Sequence, residues 1–264
     1  MYFSLLHRTE AVIICVVVFA GMVIFFIFGR FINRFFPKDD DESKSGISAL
    51  AASLFGLFGF ILAFTFGISG HRYETTRDIF ISECDYISTA ILRSDLYSDS
   101  VRQAFRKDFR NYLEARISLY SNVADMALVN QSKSDGRDAK MRLWRRATDQ
   151  SKLPNMLIPS NNMVSALNNM FDIANRRDVY LKTTIPDPII YMLFILALVS
   201  SFTAGFTRPV LRRKDWIVVI CYAFFSTLII YITLDLGRPL RGLIKAETGE
   251  RAIIELRNLF IEKR

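Results

Sequence analysis

Apolar positions are distributed unevenly along the chain. Four runs carry no charged residue: Ala11–Gly29, Ile47–Gly70, Ile189–Phe206 and Trp216–Leu234. Crossing the hydrocarbon core of a bilayer takes about 20 apolar residues in a helix. Each run therefore predicts a membrane-spanning helix, at about 11–32, 47–70, 187–207 and 215–235. The first run exceeds the roughly 7–15 residues of a signal-peptide core, and Arg30 and Phe31 follow where a cleavage site would stand. It reads as a retained span. The pattern divides the chain into 1–71 with two spans, a polar insert 72–186, a second pair of spans in 187–236, and a tail 237–264.

The second run organises the rest. Ala49, Ala52, Gly56, Gly59, Ala63, Gly67 and Gly70 recur at steps of three or four, which places them on one arc of roughly 80° at about 100° per residue. A small-xxx-small stripe lets a neighbouring helix approach closely in lipid. Phe60, Phe64 and Ile68 flank it, each four residues from the last. Such a set suits an apolar constriction that blocks ions by dewetting. Bulk that faces lipid or packs on a helix is the commoner use.

Between residues 72 and 186 the rhythm is amphipathic. No proline falls between Pro37 and Pro154 and no glycine between Gly70 and Gly136, so the second helix is predicted to continue beyond the membrane. Tyr73, Thr76, Phe80, Cys84, Ile87 and Ile91 keep a three-four spacing to about Tyr97. Tyr97–Ser100 offers caps for a helix striped by Val101, Phe105, Phe109, Tyr112 and Leu113. Ser121–Asp138 reads as polar, ending in a loop at SDGRD, and Ala139–Gln150 as a short basic helix. Ser160 reads as the cap of a helix carrying Met163, Leu167, Met170 and Ala174 toward Thr184. Pro186 and Pro188 open the third span. The tail from Glu247 predicts an amphipathic helix with Ile253, Leu256, Leu259 and Phe260 on one side. The fold class is an all-α membrane protein: four transmembrane helices with an α-helical soluble insert between spans two and three.

Charge changes this picture little. The net charge is +8, but no basic stripe interleaves with aromatics, so nucleic acid is not the implied partner. The basic residues flank spans instead, and their near-even split between the two faces does not fix orientation. Three cysteines and two histidines make neither a metal site nor a disulfide framework. The acids Asp39–Glu42 match no calcium loop. No nucleophile–base pair or phosphate loop appears, so no catalytic residue, cofactor or enzyme activity is expected. Arg72, Arg77 and Arg93 either attract anions at a pore mouth or, more commonly for such residues, anchor at the interface and pair with Glu74, Asp78 and Glu83. Asp235 reads as pairing with Arg238 or Arg241 to pin the fourth span.

Two stretches carry a resemblance. Phe64–Gly67, the run Arg72 to Arg77, and then Glu83, Ile87, Leu92 and Arg93 form one; LDLGRPLRGLI at Leu234–Ile244 forms the other. Together they resemble the bestrophin-like family of bacterial membrane proteins, with about Asn122–Asn162 matching nothing nameable. Similarity to bestrophins implies four spans per subunit and a multi-pass protein of the cytoplasmic (inner) membrane. It also implies cytosolic termini, a cytosolic insert at 72–186, and homo-pentameric anion channels whose second span lines the pore at a bulky neck. Phe60, Phe64 and Ile68 fit that neck, and Ala52, Gly56, Gly59, Ala63 and Gly67 the packing stripe. The chain departs from bestrophins in lacking an acidic calcium clasp and in the small residues that crowd its second span. The alternative is a non-conducting scaffold or sensor whose cytosolic helices bind a partner.

Overall fold

The computed structural model describes residues 10–35, 41–121, 125–183, 185–207, 213–237 and 247–260. Among these the chain is almost entirely helical, with no strand. The helices are α1 (Ala11–Asn33), α2 (Asp41–Arg93), α3 (Asp99–Ser121), α4 (Met126–Gln150), α5 (Leu157–Lys182), α6 (Asp187–Phe206), α7 (Arg213–Leu236) and α8 (Glu247–Glu255). One 3-10 turn, Ser94–Leu96, follows α2, and another, Leu256–Phe260, follows α8. Four of the described helices are long and apolar enough to cross a membrane. The chain forms two compact units, Met1–Arg72 with Thr184–Arg238, and Tyr73–Thr183 with Pro239–Arg264.

In the first unit, α1 packs on α6 and α7 around a core of Cys15, Met22, Phe58, Leu62, Leu193, Ala197 and Ile230. Two glycines set the α1–α6 distance. A Cβ on Gly29 would lie 2.1 Å from the Phe202 carbonyl oxygen, and one on Gly205 would lie 1.9 Å from that of Phe26. The two backbones touch there, and only glycine leaves room. Asn33 Nδ2 closes the same end of the pair by donating to the Phe206 carbonyl at 2.7 Å. Phe26 meets Trp216 of α7 edge-on at 5.9 Å, and Tyr222 of α7 receives the rings of Phe55 and Phe58 from α2. Helix α6 opens at Pro186 and Pro188, where a missing N–H costs nothing.

The second unit buries Ile87 and Ile91 of α2, Phe105, Phe109 and Leu113 of α3, Leu143 of α4, and Met163, Leu167 and Met170 of α5. Helix α2 is unbroken for 53 residues, as the missing proline and glycine foretell. It already begins at Asp41, ahead of the expected start of the span at 47; residues 36–40 lie outside the described segments.

Two local expectations are corrected. The stretch Ser121–Asp138 does not end in a loop, because α4 starts at Met126 and runs through SDGRD. Asp125 starts it by accepting from the amides of Ala127 and Leu128. Val129, Ser132, Ala139, Leu143 and Ala147 are its buried stripe. Gly136 falls on that stripe, with Ala115 Cβ 3.7 Å from where its own Cβ would be. It is a packing glycine and not a turn glycine. Likewise Ser160 does not cap α5; the helix begins at Leu157, and Ser160 is buried within its first turns. The turn ahead of it uses Asn155 at φ 66°.

The C-terminal segment docks on α3. Ile253 is buried, with Leu256, Leu259 and Phe260 against the same core. Arg257 makes a two-pronged pair with Glu114 at 2.9 and 2.6 Å. Arg106 and Arg110 donate to the carbonyls of Leu259 and Phe260.

Candidate functional site

The Phe60–Phe64 pair stands on the least covered span. Of its most apolar 18-residue window, the α2 span buries 17%, against 28% for α1 and 33% for the other two. The side it buries carries Ala51, Phe58, Leu62, Thr65 and Ser69. Thr65 settles its hydroxyl on the Ile61 carbonyl of its own helix at 2.7 Å. On the opposite side Phe60 is 67% and Phe64 57% exposed, their rings stacked at 6.4 Å. Ile68 is not part of that exposed pair: it is half-buried against the unit's own core. The spacing of four did not separate it, because 40° of drift per step turns the third residue about 80° from the first.

The small stripe lies beside the ring pair and is uncovered. Ala52, Gly56, Gly59, Ala63 and Gly67 are all exposed or half-exposed. A Cβ built on Gly56, Gly59, Gly67 or Gly70 would meet nothing within 4 Å. Gly29 and Gly205, which sequence reasoning did not single out, show what glycine does in this protein once a partner helix is present: it lets backbone meet backbone.

The expected arginines separate. Arg72 and Arg77 stand about 120° and 100° away from Phe60 on opposite sides of the helix, whereas His71 stands about 20° from it. Arg93 does not pair with Glu83; its guanidinium donates to the Asn162 carbonyl, tying the end of α2 to the start of α5. Asp235 is buried near the end of α7; Arg238 and Arg241 lie outside the described residues.

Glu83 belongs to a buried charge network that the sequence did not announce. Its carboxylate is fully buried and accepts from Arg116 Nε at 2.7 Å and Arg177 Nη1 at 2.9 Å. Arg177, 2% exposed, also donates to Asp178 at 2.8 Å and lies over the Phe80 ring at 5.7 Å. Burial pulls the Arg116 guanidinium down, but the Glu83 carboxylate, Tyr112 and Asp178 together outweigh it, for a net rise. Two neutral neighbours complete the setting: burial pushes the Tyr112 hydroxyl and the Cys84 thiol each up to about 12. The signal was present in the pattern. Glu83, Arg116 and Arg177 each continue their own helix's apolar stripe, after Phe80, Tyr112 and Met170.

Outside these, a groove of about 520 Å³ of mixed polar and apolar lining runs between α3 and α4, among Glu114, Ala115, Leu128, Gln131, Asp138 and Arg142. Among the described residues no group of His, Cys, Asp and Glu is placed to hold a metal ion.

A family model described as the bestrophin-like domain matches residues 21–249. No curated protein and no solved structure matches the chain.

Proposed function

The chain belongs to the bestrophin-like domain family, and from that premise we propose that copies of it assemble in the membrane around α2 to form an ion-conducting pore with an apolar neck at Phe60 and Phe64. One observation carries the reading: a glycine-lined helix face with no described residue against it, next to a stacked, exposed phenylalanine pair. Glycine inside a helix costs about 1 kcal/mol against alanine, and a face that met only lipid tails would gain nothing from it. A second copy gives that face a purpose, because small residues let helices approach. The rings beside it then project toward the shared axis, where an apolar constriction gates by dewetting.

In this reading the conducted ion is an anion and the membrane the cytoplasmic one, with both termini and residues 72–186 in the cytosol, and the family likeness is what supports it. Ala52, Gly56, Gly59, Ala63 and Gly67 are the packing stripe of this reading, and Ile68 supports the neck from behind. Arg72 and Arg77 anchor the helix at the interface and do not line the neck.

Chloride flux from liposomes holding the purified protein tests the reading. Flux is expected, and Phe64→Ala should raise it by widening the neck. Tight liposomes from both proteins, under varied pH and voltage, would favour the second reading, a non-conducting scaffold or sensor. That reading draws on Leu157 and Ile158, 70% and 75% exposed at the start of α5, and on the groove between α3 and α4. Labelling of single cysteines at Lys133→Cys and Lys38→Cys from either side of the membrane checks orientation.

A further inference from the structure

The exposed half of the α2 span differs on the two sides of its phenylalanine pair. Small and large residues stand next to each other in the chain three times over, as Ala49-Leu50, Gly56-Leu57 and Ala63-Phe64, at intervals of seven. Measured from Phe60, Gly56, Ala63, Ala52 and Gly59 lie about 40°, 60°, 80° and 100° to one side. Phe64, Leu57 and Leu50 lie about 40°, 60° and 80° to the other. All three large residues are uncovered, Leu50 at 69%, Phe64 at 57% and Leu57 at 47%. On the small side, a Cβ at Gly56 or Gly59 would meet no described residue within 4 Å. Phe66, also exposed, stands about 120° round and walls the far edge of that hollow. One helix thus carries a row of knobs and, level with it, a row of holes. Both repeat at seven, the period at which parallel helices interlock with a left-handed crossing.

Two arrangements of copies could use these rows. A two-fold pair sets the same surface against itself, so small would meet small and the leucines would stay in lipid. A closed ring is heterologous: each copy shows one flank to the neighbour on its left and a different flank to the neighbour on its right. A helix with knobs on one flank and holes on the other meets that condition by itself. Close packing of side chain into hollow is also what drives helices together in lipid, where burial of apolar surface supplies nothing. We propose that α2 provides both halves of every contact in the ring, Leu50 of one copy seating at Ala52 of the next and Leu57 at Gly56 and Gly59. The proposal rests on the assembly in the pore reading and adds to it the counter-surface and the direction of packing. Phe64 continues the knob row at the level of the neck, so each ring there leans on Ala63 of the next copy.

The test uses the full chain in lipid nanodiscs, with the exposed native thiol removed by Cys221→Ser. Leu50→Cys and Ala52→Cys are introduced singly and together. Both positions are exposed, so the packing of the single chain does not depend on them. They stand on opposite flanks of α2, too far round the helix to bond within one chain. Copper-catalysed oxidation of the double variant should give a covalent ladder on a non-reducing gel, its top rung matching the number of chains in the particle by native mass spectrometry. Each single variant should stay monomeric on the same gel, because its thiol meets no thiol on the next copy. Dimers from Ala52→Cys alone, with no ladder from the double variant, would set small row on small row and overturn the proposal. A many-chain particle whose double variant does not cross-link would overturn it too, and would leave the assembly standing. A particle of one chain would end the assembly itself, and this packing with it.

Discussion

Gly29 and Gly205 are the positions where one atom matters most. A methyl added to either would enter the opposite backbone, and backbone cannot rotate aside as a side chain can. Gly29→Ala and Gly205→Ala should each lower the stability of the purified protein by at least about 1–3 kcal/mol, read as a drop in melting midpoint. Gly59→Ala makes the contrast. Open space surrounds it, so the fold should be unharmed or slightly firmer, while association between copies weakens; size-exclusion profiles at falling protein concentration separate the two effects. Cys84 and Tyr112 supply a pH signature. Their ordinary values are 9.0 and 10.0, and burial holds each neutral to about 12 in the folded chain. The unfolded chain releases those protons first, so stability is intact below about pH 9 and declines as pH rises toward 12. Tyr112→Phe should flatten part of that decline in a melting series. The roles of Gly29, Gly205 and the buried charges were not legible beforehand. A glycine in an apolar run does not name the carbonyl it will meet, and a charge on an apolar stripe does not name its partner, because both partners lie far along the chain.

At the scale of elements, the chain was easiest to read where one property ran long. The spans follow from uncharged length alone, which needs no tertiary knowledge, and four described helices meet that condition. The continuation of α2 past the membrane follows from the absence of proline and glycine between Gly70 and Gly136. Reading failed at α4, where Gly136 within SDGRD looked like a turn. Its meaning depended on Ala115 across the helix pair, and the start of the helix depended on Asp125. Asp125→Ala should cost about 1 kcal/mol and speed amide exchange in the first turn of α4. Glu83→Gln breaks the buried network on one side only, leaving two guanidinium groups facing a neutral amide. That single change should cost about 3–5 kcal/mol. Apolar replacement of the whole network, by Glu83→Leu, Arg116→Met and Arg177→Met together, should leave the fold about as stable as before. Urea titration of the two variants side by side measures the difference.

For the whole molecule, the family match spans both units, yet the arrangement of copies is the step that turns a helical membrane protein into a conductor. The proposed neck residues were chosen from spacing, and two of the three stand exposed together while Ile68 is half-buried, a distinction set by the helix's own drift and by which face the rest of the subunit covers. The proposed assembly rests on the uncovered glycine face of α2, so the number of chains in the particle bears on it most directly. Native mass spectrometry of the protein released from mild detergent gives that number. The account predicts a particle of three or more 30.4 kDa chains, five by family likeness, that falls apart when Gly59 is replaced by leucine. A particle of one chain, intact and folded at 30.4 kDa, would contradict it.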